Sequence, residues 1–286
     1  MLRNNFAVFI MVHGRPDRAW TYETLKERGY TGRIFLVADN LDETAPAYKE
    51  RYGEELIVFD KLEAAKKYDS GDNTADLRST MFAANTIFDL AAERGIHYFA
   101  IMCDDYTCFR YRHPCEKNES LLTSYIKDLD KVFDCYVDFL RDSNFNTVAL
   151  AQTGDFIGGL NSAILKEPLR RKAMNSFICS VSNRFEFIGR LNEDVTTYVH
   201  QGGKGQLFGT FPGATLDQQP TQGHKAGLTE VYKDTGTYLK SFFSVMYNPS
   251  CVSISMMGVS QKRIHHKIHW ENAVPKIISE KNKKTK

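Results

Sequence analysis

No apolar run in this sequence approaches the roughly 20 residues that a bilayer-crossing helix needs, so a spanning segment of that kind is not expected. The run at 6–12 is too short for the core of a signal peptide and breaks at His13-Gly14-Arg15-Pro16. An excess of charge of one sign is nearly missing: 37 Lys and Arg stand against 35 Asp and Glu, a net charge of +2. Global charge therefore names no partner, and any basic surface must be local. Cysteine is sparse as well. The six thiols (103, 108, 115, 135, 179 and 251) form no CxxC pair and no zinc-ligand spacing. Cys103 within a strand and Cys135 on a helical face read as reduced core thiols, which suits a soluble intracellular protein.

Three familiar phosphate and nucleophile motifs are also missing. The first strand is followed by HGRPD where a dinucleotide fold has GxGxxG. The segment Gly202-Gly203-Lys204-Gly205 lacks the GxxxxGK[ST] spacing of a P-loop. There is no Ser nucleophile elbow, no internal repeat and no low-complexity linker.

What is present is ordinary globular material: 286 residues, 42% hydrophobic and 25% charged, enough for one large α/β domain or two small ones. Short continuous apolar runs at 6–12, 33–38, 55–59, 98–102 and 146–151 predict buried strands. Between them, 17–29 carries a helical pattern ending at Gly29. Residues 74–94 place Leu77, Met81, Ala84, Phe88 and Ala91 on one face, with Asn73 or Thr74 as cap and Gly95 as stop. A further helix over 118–141 is expected to bury Leu122, Tyr125, Leu129, Phe133, Tyr136 and Leu140. Strand and helix alternating in this way describe an α/β fold with a mostly parallel central sheet flanked by helices. Signals shorten after about 160, and 280–286 is a lysine-rich tail that reads as disordered.

The chain is organised around 96–109. Its strand ends in two adjacent carboxylates, Asp104 and Asp105. Ligands of open α/β sheets bind beyond the carboxyl ends of strands, and paired carboxylates need a cation or a hydrogen-bonded shell. A divalent-metal site for a phosphorylated ligand is one reading; a turn whose aspartates cap backbone N–H groups is the other. Glu193-Asp194 is a second acidic pair, at the start of a helix in which Val195, Tyr198 and Val199 face inward. These acids either cap that helix or take a proton from an attacking hydroxyl. His265-His266 and His269 hold three of the eight histidines. One of them can complete a carboxylate-rich Mn²⁺ site, although neighbouring side chains on an extended segment point to opposite faces. Arg78 and Asn85 share a helical face, either solvated or functional. Residues 240–249 suit an acceptor groove or, more simply, core packing.

Several longer stretches carry a resemblance: CDDYT (103–107), GGLNSAI (158–164), RKAMNSFIC (171–179), FEFIGRLNEDVTTYV (185–199), TQGHKAGLTEVYKDTGTYLKSFFSVMYNPS (221–250) and RIHHKIHWENAVPKI (263–277). Taken in order they resemble the TET-associated glycosyltransferase family, phage and other enzymes of the GT-A (Rossmann-like) glycosyltransferase fold that decorate modified DNA bases. One departure stands out: GT-A enzymes often use D-x-D, and here Cys103 precedes two adjacent aspartates.

The resemblance implies a single GT-A domain over 1–278, with a nucleotide-sugar half at 1–110, an acceptor and metal-completing half at 145–278, and a basic tail at 279–286. It implies a UDP-sugar donor met by His13, Gly14, Arg15, Asp39, Arg78, Asp104, Gly158 and Gly159. Asp105, with His265 or His266, is expected to hold Mn²⁺ or Mg²⁺. Asp194, with Glu193 beside it, is the expected base if the transfer inverts; if it retains configuration, the same acids position substrate instead. The acceptor implied is a hydroxymethylated pyrimidine in DNA, 5-hydroxymethylcytosine first, with Arg170, Arg171, Lys172, Lys204 and the tail as phosphate contacts. The setting would be cytoplasmic, that of the host if phage-encoded. The alternatives are a sugar-nucleotide nucleotidyltransferase, or a DNA-binding scaffold that has lost the chemistry.

Overall fold

A computed structural model describes residues 5–72, 74–115, 117, 120–166, 176–219, 228–258, 262–273, 280 and 283. In chain order the elements are β1 (Phe6–Met11), α1 (Trp20–Glu27), β2 (Arg33–Asp39), α2 (Ala45–Tyr52), β3 (Leu56–Phe59), α3 (Lys61–Lys67), α4 (Met81–Glu93), β4 (Tyr98–Cys103), β5 (Tyr106–Cys115), β6 (Ser120–Tyr125), α5 (Leu129–Asp142) and β7 (Thr147–Gln152). There follow α6 (Ala163–Lys166), β8 (Ser176–Ser180), α7 (Glu193–Gly203), β9 (Phe208–Gln218), α8 (Thr229–Tyr247), β10 (Val252–Met257), β11 (Arg263–Ile268) and α9 (Trp270–Ala273).

Nine strands make one sheet in the order β3-β2-β1-β4-β8-β7-β9-β5-β6. Strands β3, β2, β1, β4, β7, β9 and β6 run one way, and β8 and β5 run the other. The pleat sends alternate residues of each strand into different layers. Val8 and Ile10 of β1 join Leu25, Tyr48 and Phe133 on one side. Ala7 and Phe9 join Phe82 and Phe88 of α4 and Val195 and Tyr198 of α7 on the other. Both faces are covered, so the strands read as continuous apolar runs.

Two expected helices are corrected. The helix expected over 74–94 begins at Met81, because aspartates of the preceding loop capture its backbone instead: Asp72 accepts from Thr74 N (3.3 Å) and Asp76 from Arg78 N (2.9 Å). Of its two expected caps, Asn73 lies outside the described residues. The helix expected over 118–141 is strand β6 followed by α5, whose cap is Asp128, accepting from Lys131 N at 3.1 Å. Leu122 and Tyr125 are consequently half exposed on an edge strand. Cys135 is exposed too, so it is not a core thiol, although all six cysteines are free. In α8, Phe243 packs inside while Phe242 and Met246 face out, so that stretch is only in part core.

Candidate active site

Register brings the site together. Met11 pairs with both Val37 and Cys103, so His13, Asp39 and Asp105, each two residues further on, emerge level at one end of the sheet. Helix α1 fastens the acidic turn from behind. Thr21 Oγ1 donates to Cys103 O (2.6 Å) and accepts from Tyr106 N (2.9 Å), Thr21 N donates to Asp104 O (3.1 Å), and Thr24 Oγ1 donates to Tyr106 O (3.0 Å). Thr21 is fully buried and Thr24 nearly so. These hydroxyls were not anticipated from sequence; a TxxT spacing on the inward face of a helix is the signal that could have found them.

The HGR loop after β1 is likewise held from outside itself. Gly14 (φ 70°) donates its N–H to Asp42 Oδ2 at 3.0 Å, and Arg15 donates its N–H to Tyr48 Oη at 3.0 Å. The Arg15 guanidinium reaches Asp104 Oδ1 at 2.6 Å. Asp104 is buried, and its Oδ2 has no hydrogen-bond partner among the described residues. Burial raises this carboxyl to about 7, against the pull of Arg15. Next along the sheet, Asp39 takes Lys61 Nζ at 3.0 Å and lies 3.5 Å from His13 Nδ1. Burial opposes its ionisation, yet the hydrogen bonds from His13 and Lys61 prevail and hold it at about 2. His13 is raised in turn, first by its bond to Asp39. Asp105 accepts from the Gln218 side-chain amide through both oxygens, at 3.2 and 3.0 Å.

The second acidic pair opens α7. The negative fields of Asp105, Asp104 and Glu193 all add to burial in raising the Cys103 thiol. Glu193 is the first residue of α7; its carboxylate accepts from the Thr80 hydroxyl. Burial, then the charge of Asp194, raises the Glu193 carboxyl, while Thr80 and Lys240 oppose the shift. Asp194 Oδ1 accepts from Val195 N at 2.8 Å, so it also serves the helix start. Just before this pair, the buried Arg190 grips Asp72 (2.7 Å) and Asp76 (2.9 Å), tying the 69–80 loop to the head of α7.

Other expected site residues are placed differently. Asn85 is buried and binds the Phe187 backbone, whereas Arg78 is held by Asp76 (2.9 Å) and Asp234 (3.2 Å). Gly158 (φ 97°) and Gly159 (φ 59°) form a turn beyond β7, whose last residue, Gln152, touches Gln218 at 3.3 Å. His265 and His266 lie in the β10–β11 hairpin, their rings 4.2 Å apart instead of on opposite faces. His265 Nδ1 engages His266 O (2.8 Å), and His266 Nδ1 engages Asn192 Nδ2 (3.3 Å). Among the described residues no three His, Cys, Asp or Glu side chains form a metal-holding group. Lys204 caps the far end of α7, away from the acids. Arg170, Arg171, Lys172 and most of the tail lie outside the described residues.

A mostly parallel α/β sheet thus ends in a basic loop beside buried acids, the end at which open α/β sheets bind ligands. The chain belongs to the TET-associated glycosyltransferase family, whose sequence profile matches residues 6–227. No curated protein sequence matches it. Among solved structures, glucosyl-3-phosphoglycerate synthase from Mycobacterium tuberculosis, crystallised with Mn²⁺, UDP and phosphoglyceric acid, covers 92% of this chain and 87% of its own at 7% identity and a TM-score of 0.46. S. aureus TarS 1-349 covers 85% of this chain and 66% of its own at 11% identity and a TM-score of 0.41. No helix among the described residues is long and apolar enough to cross a membrane.

Proposed function

We propose that this glycosyltransferase moves a sugar from a UDP-sugar to the hydroxyl of a hydroxymethylated pyrimidine in DNA, 5-hydroxymethylcytosine first, with a divalent cation at Asp105. The observation that carries the reading is the register that brings His13, Asp39 and Asp105 level at one end of the sheet, with the Arg15 guanidinium 2.6 Å from the buried Asp104. The donor set suits Mn²⁺ or Mg²⁺: carboxylate oxygens are hard ligands, and Asp104 carries a buried oxygen with no partner among the described residues. When bound, such an ion supplies Lewis-acid neutralisation of the leaving diphosphate.

The remaining steps belong to the chain. His13, Gly14 and Asp39 meet the nucleoside at the strand ends, and Arg15 adds positive charge toward the diphosphate. Asp194 accepts the proton of the acceptor hydroxyl, and Glu193 beside it orients the acceptor, which fits an inverting single displacement. The hydroxymethyl group projects into the major groove of duplex DNA, and chemistry on a base held at the sheet ends calls for an extruded base.

The test is mass spectrometry of nucleosides from hydroxymethylated DNA incubated with the protein, Mn²⁺ and a panel of UDP-sugars. A hexose or pentose mass on the pyrimidine supports the proposal. DNA binding without transfer from any donor would favour an inactive scaffold.

A further inference from the structure

Asn192 alone among the described non-glycine residues holds a left-handed backbone, with φ 58° and ψ 33°. L-residues other than glycine adopt that region at a cost, and such strain persists only where the surroundings over-determine it. Here they do. Asn192 is 2% exposed. Its side-chain Nδ2 donates to Ser244 Oγ of α8 at 2.5 Å and meets His266 Nδ1 of β11 at 3.3 Å. Its carbonyl accepts the first bond of α7, from Thr196 N at 2.9 Å. Ser244 Oγ is in turn 3.0 Å from Thr196 Oγ1, so the three residues form a small closed network. The amide oxygen Oδ1 is buried with no partner among the described residues, a deficit that a purely structural residue would be expected to avoid.

The position of this residue gives the strain a use. Leu191 before it is fully buried in the cluster that contains Val231 and Phe243, and Glu193 after it opens α7, its carboxylate accepting from the Thr80 hydroxyl. A left-handed residue is what lets the chain turn sharply from that cluster into the helix.

We propose that Asn192 is a positioning residue: by locking the first turn of α7 to α8 and to the β10–β11 hairpin, it fixes where the Glu193–Asp194 pair stands relative to Asp104 and Asp105. This deepens the proposed transferase reading and rests on it for its kinetic consequence.

The test uses the full chain and Asn192→Gly, because glycine keeps the left-handed backbone without strain and removes the amide bonds alone. With UDP-glucose or whichever UDP-sugar the wild type turns over, kcat is expected to fall at least about tenfold while the donor KM stays put, since misplacement of a reacting group taxes the chemical step. Hydrogen exchange across residues 193–197 should quicken, with exchange in β1 and β4 unchanged. Ser244→Ala, which removes one of the two partners, should show the same pattern more weakly. Wild-type kcat in Asn192→Gly, or unchanged exchange at 193–197, overturns the assignment, and a joint collapse of kcat, KM and Tm would make the residue merely structural. If the wild type turns over no donor, the proposed transfer fails on its own account, and the exchange data still decide whether Asn192 pins the helix start.

Discussion

Individual side chains at the sheet ends carry the sharpest expectations. Asp105 is joined to Gln218 through both oxygens, so Asp105→Asn is expected to leave the fold intact. The same change should weaken UDP binding in Mn²⁺ by about tenfold or more, roughly 1.4 kcal/mol, as read by calorimetry. Asp194→Asn should bind UDP like the wild type yet lose transfer by about 10²–10⁴, the usual worth of a positioned base. His13 gives a pH signature. Its folded pKa is raised above 6.5 by its bond to Asp39, so the stability it contributes is full below pH 6.5 and disappears as pH rises through the folded value. The Tm gap between wild type and His13→Gln should therefore be widest below pH 6.5 and close toward higher pH. That His13, Arg15, Asp39 and the acidic pair belong together was legible from strand-end chemistry. That Arg78 is committed to Asp76 and Asp234 was not, because a helical wheel shows which residues share a face and not what an adjacent loop brings to it.

At the scale of elements, the strands with unbroken apolar runs were the readable part, since burial on both faces leaves one pattern. The edge strand β6 was mistaken for helix because an exposed strand has no core-facing periodicity to distinguish it. The late start of α4 has a different cause, the competition of Asp72 and Asp76 side chains for the backbone N–H groups of 74–78. Within α4, Asn85 is fully buried and completes the Phe187 backbone, donating to its carbonyl at 2.9 Å and accepting from its N–H at 2.8 Å. Asn85→Ala leaves two buried backbone groups unpaired and is expected to cost about 2–5 kcal/mol. In a urea titration this should appear as a lower midpoint at unchanged slope.

For the whole molecule, ligand linkage provides a global test. A ligand that binds the native state at 100 times its Kd adds about 2.7 kcal/mol, which for a chain of this size is a Tm rise of roughly 5–10 °C. UDP with Mn²⁺ should produce such a rise and UDP with EDTA much less of one, measured by thermal melting. Composition and periodicity sufficed for an α/β chain with a buried strand ending in Asp104-Asp105 and a helix beginning with Glu193-Asp194, because burial and capping repeat at intervals of two and 3.6 residues and act over a few neighbours. Whether those two pairs meet is another kind of question. Where each pair stands depends on α1 stapling the acidic turn, on Thr80 and Arg190 holding the head of α7, and on the left-handed Asn192. The contact of His266 in β11 with Asn192 has the same origin. Contacts between segments far apart in the chain are set by how helices and a hairpin pack on the nine-stranded sheet, and packing leaves no period in the sequence to read.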